Sequence, residues 1–165
     1  MKIIGRDKEQ LLLKQCVESG IPEFLVVYGR RRIGKTFLIR EYFGGGLDFY
    51  VTGLASEKKE DQLHAWNIAI KDCFGNSDSN ATNWIDAFAI LRKKLEKLKK
   101  SKRKIIFIDE APWLDTQKSG FMLALEHFWN GWASGRSDIF LIVCGSATSW
   151  IVKNLLRNNE TAYEM

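Results

Sequence analysis

GRRRIGKT, residues 29–36, is the stretch of the chain whose residue types and spacing promise chemistry. Gly29 and Gly34 are followed by Lys35 and Thr36, the pattern G-x-x-x-x-G-K-[ST] of a phosphate-binding loop. Glycines let successive backbone N–H groups turn inward as an anion-binding nest, and the N-terminus of the following helix reinforces it. Lys35 would reach the β- and γ-phosphates of a nucleotide, and Thr36 would offer its hydroxyl to Mg²⁺. The candidate nucleotide-binding residues are therefore Gly29, Arg30, Arg31, Arg32, Ile33, Gly34, Lys35, Thr36 and Phe37.

Two further motifs end apolar runs. IIFIDE delivers Asp109 and Glu110. A hard cation needs carboxylate or water oxygens, so Asp109 is the candidate Mg²⁺ ligand with Thr36, directly or through water. Glu110 could orient or deprotonate an attacking water. IVCGSATS places Ser146 after another run. Ser146 either meets the γ-phosphate or the attacking water, or caps the next helix with its neighbours Thr148 and Ser149. Lys35, Glu110 and Ser146 are thus the candidate catalytic residues. The three arginines between the glycines admit three readings: outward and solubilising, paired with nearby acids or an adjoining subunit to brace the loop, or clamping phosphate directly. Bracing is the reading favoured here, because in such a loop the backbone rather than the side chains wraps the anion.

These residues need strands and helices to hold them. FLVVY at 24–28, LDFYVTG at 47–53, KIIFIDE at 104–110 and IFLIVCG at 139–145 read as strands. Asp7 with Gln10 reads as a reciprocal cap opening a helix over 8–19. Further helices are expected from Lys35 to Phe43, over 57–73, along Trp84, Phe88, Leu91, Leu95 and Leu98, over 119–133 and from Ser149. FGNSDSNATN at 74–83 reads as a polar loop. Strands alternating with helices imply a parallel sheet covered on both faces, with ligands at the carboxyl ends of the strands. Every motif above lies at such an end.

Composition narrows the alternatives. At 165 residues and 45% apolar content, residues 1–165 suit one domain with a substantial core. No run approaches the ~20 apolar residues that span a bilayer, and the charged N-terminus lacks a signal-peptide core. A cytoplasmic protein without membrane attachment is expected. Cys16, Cys73 and Cys144 are odd in number and scattered, and His64 and His127 stand alone, so neither a disulfide framework nor a metal cluster is expected. The net charge of +5 is local: residues 92–104 hold nine basic residues against one acidic, which leaves the remainder at −3. Nucleic-acid binding by this stretch is an alternative but is not favoured, because the stretch closes a helix and lacks interleaved aromatics. Guanine specificity is disfavoured because no N-K-x-D occurs. A small-molecule kinase is disfavoured by Glu110 directly after Asp109.

Together, GRRRIGKT after a strand, IDEAPWL and CGSATSW resemble the archaeal and bacterial ATPases related to AAA+ and STAND ATPases. IIGRDKEQ resembles that family's GRxxE box through Gly5, Arg6 and Glu9. The resemblance implies a three-layer α/β/α P-loop NTPase core binding ATP or ADP with Mg²⁺, and an ATP-dependent molecular switch. It also implies Gly5 and Arg6 near the adenine, and Ser146 as γ-phosphate sensor. In such a fold a fifth strand, a helical lid and a further domain follow the sensor helix. With ETAYEM ending the sequence, a sheet of about four strands is expected, with the fifth strand and lid missing and the domain truncated at its C-terminus. Hydrolysis would then require completion by a lid or partner, and a nucleotide-gated module that does not hydrolyse is the alternative. Without that strand, residues 24–28 would form an open edge inviting self-association or a protein partner.

Overall fold

The computed structural model describes residues 5–75, 80–99, 102–156 and 161–165. Its elements are α1 (Asp7–Glu18), β1 (Glu23–Tyr28), α2 (Lys35–Phe43), β2 (Phe49–Thr52), α3 (Lys59–Phe74), α4 (Trp84–Glu96), β3 (Lys104–Asp109), α5 (Ala111–Leu114), α6 (Phe121–Gly131), β4 (Ile139–Gly145), α7 (Thr148–Asn154) and β5 (Thr161–Glu164). Residues 76–79 of the expected polar loop and residues 100 and 101 of the basic stretch lie outside the described residues.

Runs of Val, Ile, Leu and Phe become strands because both of their faces are covered. The sheet order is β2-β3-β4-β1-β5, and every pairing is parallel. On one face Val26, Val51, Ile106, Ile108, Leu141 and Val143 pack against α3 to α7. On the other, Leu25, Val27, Phe107 and Ile142 pack against Leu13 and Cys16 of α1 and Leu38 and Ile39 of α2. This is a three-layer α/β/α architecture. The aromatic centre of the first face is Trp66, fully buried among Phe49, Trp84 and Phe88 at ring-centroid distances of 4.9, 5.4 and 4.8 Å. The expected stripe of Trp84, Phe88, Leu91 and Leu95 on α4 is buried there.

Two expectations are corrected. The fifth strand is present: Leu25 to Tyr28 pair in parallel register with Thr161 to Glu164, and the Met165 amide donates to the Tyr28 carbonyl at 2.8 Å. β1 is therefore an interior strand rather than an open edge, and the expected self-association at residues 24–28 loses its basis. Phe24 to Val27 are buried throughout, and a strand so covered also pairs both rows of backbone groups. β5 was masked in the sequence by its shortness and by the polar residues before it. The reciprocal cap at Asp7 is also absent. Asp7 lies in the first turn of α1, and the Gln10 amide donates to the Gly5 carbonyl at 2.8 Å. Gly5 and Arg6 both take positive φ, 75° and 62°, which turns the chain so that the Arg6 side chain faces the phosphate loop.

Part of the basic stretch is drawn into the structure. Arg92 pairs with Glu96 at 2.9 Å, and Arg103 donates to the backbone carbonyls of Cys16, Ile21 and Ser137. Lys104, only 1% exposed, reaches Asp138 at 2.5 Å. Among the described residues no helix is long and apolar enough to cross a membrane.

Candidate functional site

The carboxyl ends of β1, β3 and β4 bring the three motifs to one edge. Leaving β1, the chain turns at Gly29 with φ +142°. A Cβ at Gly29 would stand 2.2 Å from the Met165 carbonyl oxygen, so only glycine lets the loop start this close to the segment after β5. Gly34, at φ 85°, precedes the first turn of α2. Lys35 is buried, and its ammonium donates to the carbonyls of Gly29 and Arg30 at 3.0 and 2.7 Å, so it bridges the mouth of its own loop. Arg6 donates to the Ile33 carbonyl and pairs with Glu9 at 3.4 Å, which ties the N-terminal box to the phosphate loop.

Thr36 and Asp109, 73 residues apart in sequence, are joined by a hydrogen bond of 2.7 Å from the threonine hydroxyl to Asp109 Oδ2. Asp109 is 3% exposed, and this burial raises its carboxyl above the ordinary aspartate range. Donation from Thr36, the Cys144 thiol beneath it and the Glu110 amide opposes that shift. The Asp109 carboxylate and the Thr36 hydroxyl beside it form the oxygen pair a hard cation takes. No cluster of three or more His, Cys, Asp or Glu that could hold a metal occurs among the described residues. Mg²⁺ suits a two-oxygen site because it keeps waters and phosphate oxygens as its other ligands.

Glu110 stands at φ 47°, ψ 43°, a left-handed conformation unusual for a residue with a side chain. The strain is local to an elbow packed against glycines. A Cβ at Gly53, beyond β2, would lie 2.5 Å from the Glu110 carbonyl oxygen and 2.9 Å from Trp113 Cβ. A Cβ at Gly145, ending β4, would lie 2.8 Å from Pro112 Cδ. The elbow turns Glu110 toward Ser146, whose hydroxyl donates to Glu110 Oε2 at 3.0 Å. Ser146 in turn accepts from Arg31 Nε at 3.2 Å. The guanidinium of Arg31 lies over the Trp113 ring, 5.6 Å from its centroid.

The geometry thus gathers Lys35, Thr36, Asp109, Glu110 and Ser146 around the phosphate loop. Ser146 caps no helix: α7 starts after Ala147 without a side-chain cap. Of the arginines, Arg31 engages a side-chain partner, whereas the side chains of Arg30 and Arg32 are exposed with no hydrogen bond or ion pair among the described residues, Arg32 at φ 64°. Phe37 is 45% exposed and borders a cleft of about 740 Å³ that also touches Thr36, Arg40 and Tyr50. Trp113, Gly53 and Gly145 escaped the sequence reading. The aromatic three residues after the acid Glu110 was the available signal.

Residues 4–163 match a family described as an ATPase domain predominantly from Archaea. The chain belongs to that family. Among solved structures, this ATPase domain is similar to a Walker-type ATPase of Pyrococcus abyssi, with TM-score 0.62 and 18% identity, covering 98% of this chain and 54% of that one. It is also similar to Drosophila ORC bound to DNA, with TM-score 0.57 and 11% identity over 95% of this chain and 87% of that one. A second ORC structure, bound to AT-rich DNA and Cdc6, gives TM-score 0.55 at 10% identity, covering 95% and 52%. At these identities the likeness is one of fold, and this ATPase domain spans about half the length of the archaeal neighbour. No match was found among curated protein sequences.

Proposed function

We propose that this ATPase domain binds ATP with Mg²⁺ and hydrolyses it, the bound nucleotide acting as a molecular switch. The observation that carries the reading is the 2.7 Å contact between Thr36 and Asp109 at the root of a phosphate loop. It joins the two oxygens that would hold Mg²⁺. The loop amides from Gly29 to Thr36 would cradle the phosphates, with Lys35 exchanging its two loop carbonyls for phosphate oxygens. The segment from Arg30 to Ile33 and Phe37 would form the loop's walls. Gly5 and Arg6, tied to the loop through Ile33, would border the base. The cation, when bound, neutralises charge on the phosphates. Glu110 orients and deprotonates the attacking water, and Ser146 positions Glu110 and meets the γ-phosphate.

Arg103, held by backbone carbonyls, and Lys104, paired with Asp138, are removed from the exposed face of the basic stretch, which weighs against a nucleic-acid role for it. The test is ATP titration by calorimetry with and without Mg²⁺, followed by turnover. Lys35→Ala should abolish measurable binding. Glu110→Gln should keep ATP affinity within about threefold while turnover drops by about 10²–10⁴, the worth of a positioned base. An ATP affinity indifferent to both Mg²⁺ and Lys35 would overturn the reading. A turnover unchanged in Glu110→Gln would remove hydrolysis from it.

A further inference from the structure

Arg31 is placed unlike its two neighbours. Only its Nε is engaged, by Ser146 at 3.2 Å, and its two terminal nitrogens make no hydrogen bond among the described residues. The guanidinium plane is held over Trp113 rather than buried by it, and the residue is exposed. Trp113 is itself fixed in place. It follows Pro112, whose ring fills the space a side chain at Gly145 would need, and its own Cβ sits where Gly53 leaves room. Arg31 therefore lies over an aromatic shelf at the lip of the phosphate loop with both terminal nitrogens of its fork unused.

The direction of the hydrogen bonds adds to this. Arg31 donates to Ser146, and Ser146 donates to Glu110, so one chain of donors leads from the loop to the acid. Lys35 and Thr36 lie at the other end of the loop, bonded to the Gly29 and Arg30 carbonyls and to Asp109. In the nucleotide-bound state proposed above, Ser146 and the free face of the guanidinium would join Lys35 at the γ-phosphate, which a diphosphate lacks. An arginine fork matches a pair of phosphate oxygens, and stacking on Trp113 prepays part of its ordering.

We infer that Arg31, shelved on Trp113, is a discriminator of triphosphate from diphosphate, supplied by the phosphate loop itself, that also positions Glu110 through Ser146. This rests on the ATP-binding reading above.

The test measures dissociation constants for a non-hydrolysable ATP analogue and for ADP, with Mg²⁺, in the wild type, Arg31→Ala, Arg31→Lys and Trp113→Leu. Arg31→Ala should weaken the triphosphate about tenfold or more, as loss of a charge-assisted contact does. Its ADP affinity should stay within about twofold, which also certifies folding. Arg31→Lys should fall between, and Trp113→Leu should follow Arg31→Ala at smaller amplitude. Equal losses for the two nucleotides, or none for either, would overturn the assignment while leaving ATP binding intact. A wild type that binds neither nucleotide would overturn the ATP-binding reading itself.

Discussion

Removal of the Asp138 carboxylate should destabilise this domain far more than removal of the lysine it pairs with. Lys104 opens β3 and is 1% exposed, so its ammonium is cut off from water. Its partners are Asp138 Oδ2 at 2.5 Å and the carbonyls of Lys99 and Lys102 at 3.0 and 3.4 Å. Asp138→Ala strands that charge with carbonyls alone, and leaving a buried charge unpaired costs about 3–5 kcal/mol. Lys104→Met instead replaces the buried ammonium with an apolar chain of similar length. Asp138 then keeps its two-pronged pair with Arg136, at 2.9 and 2.7 Å, so the expected cost is below about 1.5 kcal/mol. The double variant should resemble Lys104→Met. Urea unfolding of the four proteins measures this directly. The pH dependence has a fixed sign. Hydrogen bonds from Arg136, joined by Lys104, hold the Asp138 carboxyl well below the usual range. Its folded value is lower than its unfolded one, so its stabilisation is complete above about pH 4 and is lost as pH falls further. An Asp138→Ala cost below about 1 kcal/mol, the size of an exposed pair, would refute the reasoning. So would a double variant no more stable than Asp138→Ala.

Asp109 should behave with the opposite sign. Burial raises its carboxyl, so its contribution is present below the unfolded value and lost as pH rises through the folded one. The nucleotide-free Asp109→Asn protein should therefore gain stability over the wild type as pH rises from 4 to 7, while Mg²⁺-dependent ATP affinity disappears; thermal melts across that range with calorimetry check both halves. Gly53→Ala would push against the Glu110 carbonyl at 2.5 Å and should cost about 1–3 kcal/mol. Its turnover should drop while ADP affinity holds, because Lys35 and Thr36 lie outside the displaced elbow.

The contrast between those two aspartates shows what a sequence can and cannot carry. GRRRIGKT and IIFIDE were legible because each couples a local backbone demand to an adjacent side chain: glycines for the nest, an apolar run for the strand that delivers Asp109. Their meeting at 2.7 Å followed from parallel strands alone, since all carboxyl ends share one edge. Where a role depends on a partner from another element, the sequence falls silent. Lys104 belongs to the basic stretch and Asp138 to no motif; 34 residues apart, they form a buried pair because the register sets Lys104 opposite Ile139, beside the end of Asp138. β5 was missed for a related reason. Four residues carry little pattern of their own, and the demand for a strand there came from the uncovered backbone of β1. The arginine triplet sits between these cases. Its three members are indistinguishable in sequence, and only the packing of Pro112 into the space left by Gly145 raises the shelf that sets Arg31 apart. That shelf joins the loop that would sense the nucleotide to the acid that would act on water, so binding and hydrolysis would be coupled through Arg31.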